Sequence, residues 1–227
     1  MAVSARAWVF AGGDFFIEHV PFDEMDEHDQ IICVDGGVAH CLAAGLQPTL
    51  LVGDFDSVDS QLLAQESLAD VPRRTYPTCK AASDLELALE LLTEDPPESV
   101  IILGISGGRT DHMLFNWMLP ALRHWPFSLM LIDGTTCCRV LQGQDKCEFR
   151  ALAGTTISLL AQVTAMGVST SGLQYTLADA TLDIGSTRGL SNVVHDELVS
   201  VKLDSGTLLV LINNDENHDE NHDERQE

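Results

Sequence analysis

Five short apolar runs, AWVFAGG, IICVDGG, TLLVGDFDS, SVIILGISGG and SLMLIDG, recur through the first 138 residues, and each closes on a glycine-rich or acidic turn. Runs of this length and continuity read as strands buried on both faces. Helical patterns lie between them: 38–44, stopped by Gly45 and Pro48; 60–67; 84–92; and 111 to about 119, ended or kinked by Pro120. Ser83 followed three residues later by Glu86 is a capping box at the entry to SDLELALELL. Strands alternating with helices predict an α/β domain with a mainly parallel sheet covered on both faces.

After Arg139 the texture changes. TTISLLA, VTAMGVST, ATLDIG, ELVSVKL and TLLVLI are short strand-like runs separated by Gly, Ser, Asp and Thr, without a helical period among them. They predict a small antiparallel sandwich or barrel, its last two strands joined as a hairpin through DSG at 204–206. The expected organisation is an α/β domain over 1–138, a β-sandwich over 139–213 and a solvated, disordered acidic tail over 214–227. The tail repeats Asp-Glu-Asn-His, and a weak metal site at His218 and His222 is its alternative reading.

A net charge of −23 with 12 Lys and Arg excludes a basic nucleic-acid-binding face. No apolar run reaches the ~18 residues of a membrane span, and the N-terminus has no long apolar signal segment, so the cytoplasm is the expected compartment. Cys33, Cys41, Cys79, Cys137, Cys138 and Cys147 form no CxxC pair and read as thiols.

In an open parallel sheet, ligands bind beyond the carboxyl ends of the strands. Asp35 follows IICV, Asp54 and Asp56 follow TLLVG, and Gly107, Gly108, Arg109, Asp111 and His112 follow VIILGI. Asp84 opens a helix, so four pieces of sequence deliver carboxylates to one edge. Each has a bland alternative: Asp84 as a helix-dipole partner, Asp35 as a turn residue, Asp56 as a helix cap.

If Asp54 and Asp56 lie in an extended segment, both side chains point the same way and repel. A divalent cation removes that repulsion, and an all-oxygen set without His or Cys favours Mg²⁺. SGGRTDH offers glycine-turn N–H groups, a helix start and a planar cation to phosphate oxygens. Together these point to a nucleoside triphosphate. Walker A, GxGxxG, protein-kinase and GxSxG patterns are absent.

At these residues the chain resembles the thiamine pyrophosphokinase (thiamine diphosphokinase) family. The resemblance runs through VDGGVAHCLAAGLQPTLLVGDFDS, KAASDLELAL, GISGGRTDHMLFNWMLP, GLQYTL and GLSN, from about 31 to 212. It implies pyrophosphoryl transfer from ATP to thiamine, with AMP released, by an α/β ATP-binding catalytic domain followed by a thiamine-binding β-sandwich. It also implies a homodimer whose active sites are shared between subunits. Asp54, Asp56 and Asp84 are then the Mg²⁺ and phosphate-handling carboxylates, with Asp35 beside them. Arg109 and Asp111, followed by His112, fall at nucleotide and phosphate contacts. Ser191 and Asn192 then belong to the thiamine pocket, their alternative reading without the resemblance being a polar turn before a strand.

The resemblance has departures. The bacterial family pattern Lys-Asp-x-Thr-Asp reads Lys80, Ala81, Ala82, Ser83, Asp84 here, and GLKYPL has become GLQYTL, with Gln174 and Thr176. Asp56 and Asp111 are the candidates for accepting the hydroxyl proton of thiamine. Trp117 and Trp125 offer faces for the thiazolium ring, or else pack in the core. A Mg²⁺-dependent phosphohydrolase and a non-catalytic thiamine or nucleotide sensor are the rival functions.

Overall fold

The structure, a computed structural model, describes residues 6–56, 58–79 and 81–214. The acidic-tail expectation falls on residues beyond 214 and lies outside the described residues. The chain divides into two compact units, the first ending at Gly134 and the second starting at Thr135. This division lies a few residues ahead of the boundary read from the sequence texture.

The first unit contains β1 (Ala7–Phe10), β2 (Gln30–Val34), α1 (Gly37–Ala43), β3 (Leu50–Gly53), α2 (Ser60–Leu63), β4 (Arg73–Thr75), α3 (Asp84–Leu92), β5 (Ser99–Leu103), α4 (Thr110–Met118) and β6 (Ser128–Asp133). Its strands are parallel, in the order β4-β3-β2-β1-β5-β6. All four β1 residues are buried, as a central strand covered on both faces requires. The α3 helix begins as the capping box predicts, Glu86 N donating to Ser83 Oγ at 3.2 Å. The pattern at 60–67 resolves into the single turn of α2 followed by a 3₁₀ turn at Glu66–Leu68.

The entry to β1 is fixed by a buried carboxylate. Asp29 accepts from Trp8 Nε1 at 2.9 Å, Arg6 N at 3.0 Å and Asp26 N at 3.1 Å, and its Oδ2 lies 3.1 Å from Arg6 Nη2. Burial pushes this carboxyl up, but the three N–H donors and the guanidinium prevail, holding it below the usual Asp value.

The second unit contains β7 (Thr136–Gln142), β8 (Asp145–Arg150), β9 (Thr156–Ser171), β10 (Ala180–Leu182), β11 (Asn192–Val193), β12 (Leu198–Leu203) and β13 (Ser205–Asn213), all paired antiparallel. Two runs read separately, TTISLLA and VTAMGVST, form one strand, β9. The expected hairpin at 204–206 is corrected. β13 pairs with β7 and with β9 up to Met166, whereas β12 pairs with β8 and with Ser169–Ser171 of β9. Gly167, at φ +70°, lies between the two stretches of β9, and a side chain there would strike the Asp204 carboxylate. β9 therefore passes from one partner to the other, and so does the chain at Asp204. The core gathers Leu159, Val168, Val199, Val201, Leu208 and Val210. All six cysteines are free thiols.

Candidate functional site

In the first unit, β1 separates β2 from β5, so the winding direction of the chain changes at its edge. A crevice forms at such a switch point because the loops leaving the carboxyl ends diverge to opposite faces. A cavity of about 590 Å³ lies there. It is lined by Gly12 and Gly13 after β1, Asp35 and Gly36 after β2, Asp54 after β3, Gly107 to Arg109 after β5, Ala81 to Leu85 at the α3 entry, and one side of α4.

Asp35 sits in the left-handed region at φ +43°, with its N–H donating to Val52 O at 3.0 Å. This turn directs its Oδ1 toward the Phe55 N–H, 3.3 Å away, and against the Cα of Gly53, where any side chain would collide with the carboxylate. Burial first, then the charges of Asp84 and Asp54, push the Asp35 carboxyl up to about 6, despite the Phe55 N–H. Two loops and the start of α3 thus bring Asp35, Asp54 and Asp84 to one rim.

Asp56 is placed differently. Phe55 is left-handed at φ +58°, so the two-residue spacing of an extended strand does not apply, and Asp56 is exposed and absent from the cavity lining. Its N–H donates to Asp54 Oδ1 at 3.2 Å. Nor does Asp56 cap the next helix, because that place belongs to Asp59, which accepts from Gln61 N at 2.8 Å.

Opposite the carboxylates, Gly107 and Gly108 are left-handed in succession, at φ +83° and +58°, and lead into α4 through Arg109. The exposed Arg109 guanidinium holds both oxygens of Asp111, at 3.1 and 2.6 Å, and this hydrogen-bonded ion pair lowers the Asp111 carboxyl to about 2. Arg109 and His112 line the cavity; Asp111 does not. Neither tryptophan lines it. Trp125 is 2% exposed and stacks on Phe127, and the Trp117 indole N–H donates to Ser106.

Contributors not singled out from the sequence include the Gly12-Gly13 turn, Thr78, Met113 and Asn116. AWVFAGG did signal the turn, but without a charged residue it drew no chemical reading. His40 Nε2 lies 2.8 Å from Gly13 O, and since a carbonyl only accepts, this nitrogen carries the proton.

Among the described residues no three or more His, Cys, Asp and Glu side chains form a ready-made metal cage. Mg²⁺ does not need one, because it commonly takes one or two carboxylates and completes its octahedron with water and phosphate. Burial is the main cause that raises Asp35, and the Asp84 and Asp54 charges that add to it are the unfavourable charge such an ion relieves, so the rim fits it.

The raised Asp35 carboxyl has a testable sign. Its ordinary value is about 3.9, so its favourable contribution is complete below pH 4 and lost as pH rises through about 6. Asp35→Asn keeps an acceptor for Phe55 N–H but removes the repelling charge. In metal-free buffer at pH 8 the variant is expected to melt about 2–4 °C above the parent, the shift ~1 kcal/mol gives in a chain of this size. The difference vanishes near pH 4; equal melting at both pH values would contradict the charge crowding.

In the second unit, Asn192 is buried, and its side chain accepts from Tyr175 N at 3.0 Å and Val193 N at 2.9 Å while donating to Tyr175 O at 2.6 Å. The amide ties GLSN to GLQYTL. Ser191 is exposed and left-handed at φ +54°, its N–H donating to Ser158 Oγ at 3.0 Å. Among the described residues, no helix is long and apolar enough to cross a membrane.

Residues 23–124 match the family model described as thiamin pyrophosphokinase, catalytic domain, and residues 145–208 match that described as thiamin pyrophosphokinase, vitamin B1 binding domain. A 94-residue stretch is 40% identical to thiamine pyrophosphokinase of Bacillus subtilis (strain 168), covering 41% of this chain and 44% of that protein. Thiamine pyrophosphokinase 1 of Oryza sativa subsp. japonica is 23% identical over 169 residues, 70% of this chain and 64% of the relative. The matched stretches thus span less than two thirds of either curated relative. The crystal structure of thiamine pyrophosphokinase from Bacillus subtilis superposes with a TM-score of 0.79 at 27% identity, covering 92% of this chain and 99% of that one. Thiamin pyrophosphokinase from Candida albicans, at 12% identity and TM-score 0.73 over 92% and 89% of the two chains, shares the fold.

Proposed function

The chain belongs to the thiamine pyrophosphokinase family, and from that membership we propose that it transfers the pyrophosphoryl group of ATP to the hydroxyethyl oxygen of thiamine, giving thiamine diphosphate and AMP. One observation supports this reading above the others. A single switch-point cavity sets an acidic rim of Asp35, Asp54 and Asp84 against a glycine turn carrying Arg109.

Asp54 and Asp84, with Asp35 beside them, would hold Mg²⁺, which when bound neutralises phosphate charge and lets ATP enter an acidic cleft. Asp56 orients Asp54 through its backbone N–H instead of joining the rim. The N–H groups of Gly107 and Gly108 and the Arg109 guanidinium receive phosphoryl oxygens, so Arg109 exchanges its Asp111 partner for the nucleotide. The chain then acts mainly by positioning the thiamine hydroxyl in line with the departing AMP. Neither Asp56 nor Asp111 lines the cavity, so neither gains support as the proton acceptor.

We take the antiparallel second unit as the thiamine-binding sandwich of a homodimeric enzyme of the cytoplasm. In that arrangement the partner's sandwich completes the thiamine site of each catalytic unit. Ser191 is its exposed contributor, and Asn192 shapes the pocket by fixing the backbone at Tyr175.

Incubation with ATP, MgCl₂ and thiamine tests the activity. AMP and thiamine diphosphate are expected in equal amounts. Phosphate or pyrophosphate released independently of thiamine would make the chain a phosphohydrolase, and binding without turnover would make it a sensor.

A further inference from the structure

The glycine turn has no side chains of its own to hold it. Gly107 and Gly108 are consecutive left-handed residues, and Arg109 enters α4 without a side-chain cap. What fixes the turn lies beside it, at a serine outside the catalytic rim. Ser106 Oγ donates to Asp133 Oδ2 at 2.6 Å and accepts from Trp117 Nε1 at 3.1 Å. Its carbonyl accepts from Asp14 N at 2.7 Å. One residue therefore joins the end of β6, the interior side of α4 and the loop leaving β1.

Two neighbouring contacts make this junction stiff. Asn116 Nδ2 donates to Ile105 O at 3.0 Å, so α4 holds residues 105 and 106, the two that precede the glycines. The loop after β1 also runs along the loop after β5, Ala11 N and Gly13 N each donating at 2.8 Å to Leu103 O and Gly104 O. A side chain at Gly13 would strike the Ser106 carbonyl oxygen, so the two loops are in direct contact at Ser106. The hydroxyl meets two polar partners of opposite kind, and a hydroxyl can donate to one while accepting from the other.

We propose that Ser106, through Asp133 and Trp117, is a positioning residue that sets the Gly107-Gly108 N–H groups where they meet the phosphates of ATP. This rests on the assignment of that turn to ATP in the preceding section. Ser106 acts on the nucleotide side of the reaction, and thiamine recognition does not depend on it. Asp133, like Ser106, is part of a brace and not of the acidic rim.

The test uses the full chain and its Ser106→Ala, Ser106→Thr and Trp117→Phe variants. Calorimetry with Mg²⁺ and an ATP analogue carrying methylene between the α and β phosphorus reads nucleotide affinity without turnover. Steady-state assays then give KM for ATP and for thiamine separately. Ser106→Ala is expected to weaken analogue binding about tenfold, the order of one lost hydrogen bond to a charged group. Ser106→Thr, which keeps the hydroxyl, returns it to within about twofold of the parent. Trp117→Phe weakens binding in the same direction, and KM for thiamine stays within about twofold throughout. Unchanged analogue affinity in Ser106→Ala overturns the proposal, as does an equal loss for both substrates accompanied by a lower melting temperature. A parent that binds the analogue but makes no thiamine-dependent AMP would overturn the proposed activity alone, since the calorimetric comparison still decides the role of Ser106.

Discussion

Asp54→Asn is expected to lower the rate of thiamine diphosphate and AMP formation by about 10²–10³-fold, the order found when one preorganised electrostatic contact to a transition state is removed. The change is nearly isosteric. Asn keeps an oxygen to accept the Asp56 N–H, so the left-handed turn at Phe55 loses no hydrogen bond. What disappears is one negative charge from a rim that Asp35, Asp54 and Asp84 share. The melting temperature should stay at or slightly above that of the parent, because crowding is relieved. Higher MgCl₂ should recover part of the rate if the defect is metal affinity. A variant within threefold of parental activity would remove Asp54 from the chemistry and, with it, the acidic rim as the metal site.

The largest expected loss of stability lies far from that rim. Asp29→Ala should cost about 3–5 kcal/mol, the range for removing one partner of a buried, hydrogen-bonded ion pair. The substitution strands the Trp8 indole N–H and the Arg6 and Asp26 backbone N–H groups together. Urea denaturation followed by tryptophan fluorescence measures it. The pH dependence has a definite sign: the Asp29 carboxyl is held below its unfolded value, so its stabilisation is complete above about pH 4. The gap between parent and variant should be constant at neutral pH and shrink as pH falls through the lower folded value. A gap below about 1 kcal/mol at pH 7 would show that water replaces the carboxylate at little cost.

The parallel half of the fold was legible because its strands are buried on both faces, and continuous apolar runs carry that signal directly. Ser83 and Glu86 placed the start of α3 by a local rule that tertiary packing had no reason to override. The second half was less legible. Whether TTISLLA and VTAMGVST are two strands or one depends on what they pair with, and whether DSG closes a hairpin depends on a glycine some forty residues upstream, Gly167. Neither question has a local answer.

The candidate site divides in the same way. Asp35, Asp54, Asp84 and Arg109, which line the cavity, were legible because charged residues just after strands or at a helix start are conspicuous. Asp56 was misplaced because periodicity assumes extended backbone, and Phe55 is left-handed. Ser106, Asp133 and Asn116 escaped notice because a brace is defined by contacts between elements. Asn192 itself was read as a pocket residue, but its tie to Tyr175 was not legible, because that partner is seventeen residues away on a different turn.

The central place of β1 has a consequence in time. Its two neighbours are β2, which follows closely, and β5, which begins at Ser99. A ribosome adding about 5–20 residues per second needs roughly 5–20 s to pass from Phe10 to Ser99. From the completion of β2 until β5 is made, Ala7–Phe10 has a partner along one edge only, and the other edge is an unpaired apolar strand open to any extended chain nearby. The strand whose carboxyl end leads into the switch-point crevice is thus, during synthesis, a segment exposed to misassembly. Slower elongation between β2 and β5 should lower the yield of folded protein more than the same delay placed after β6.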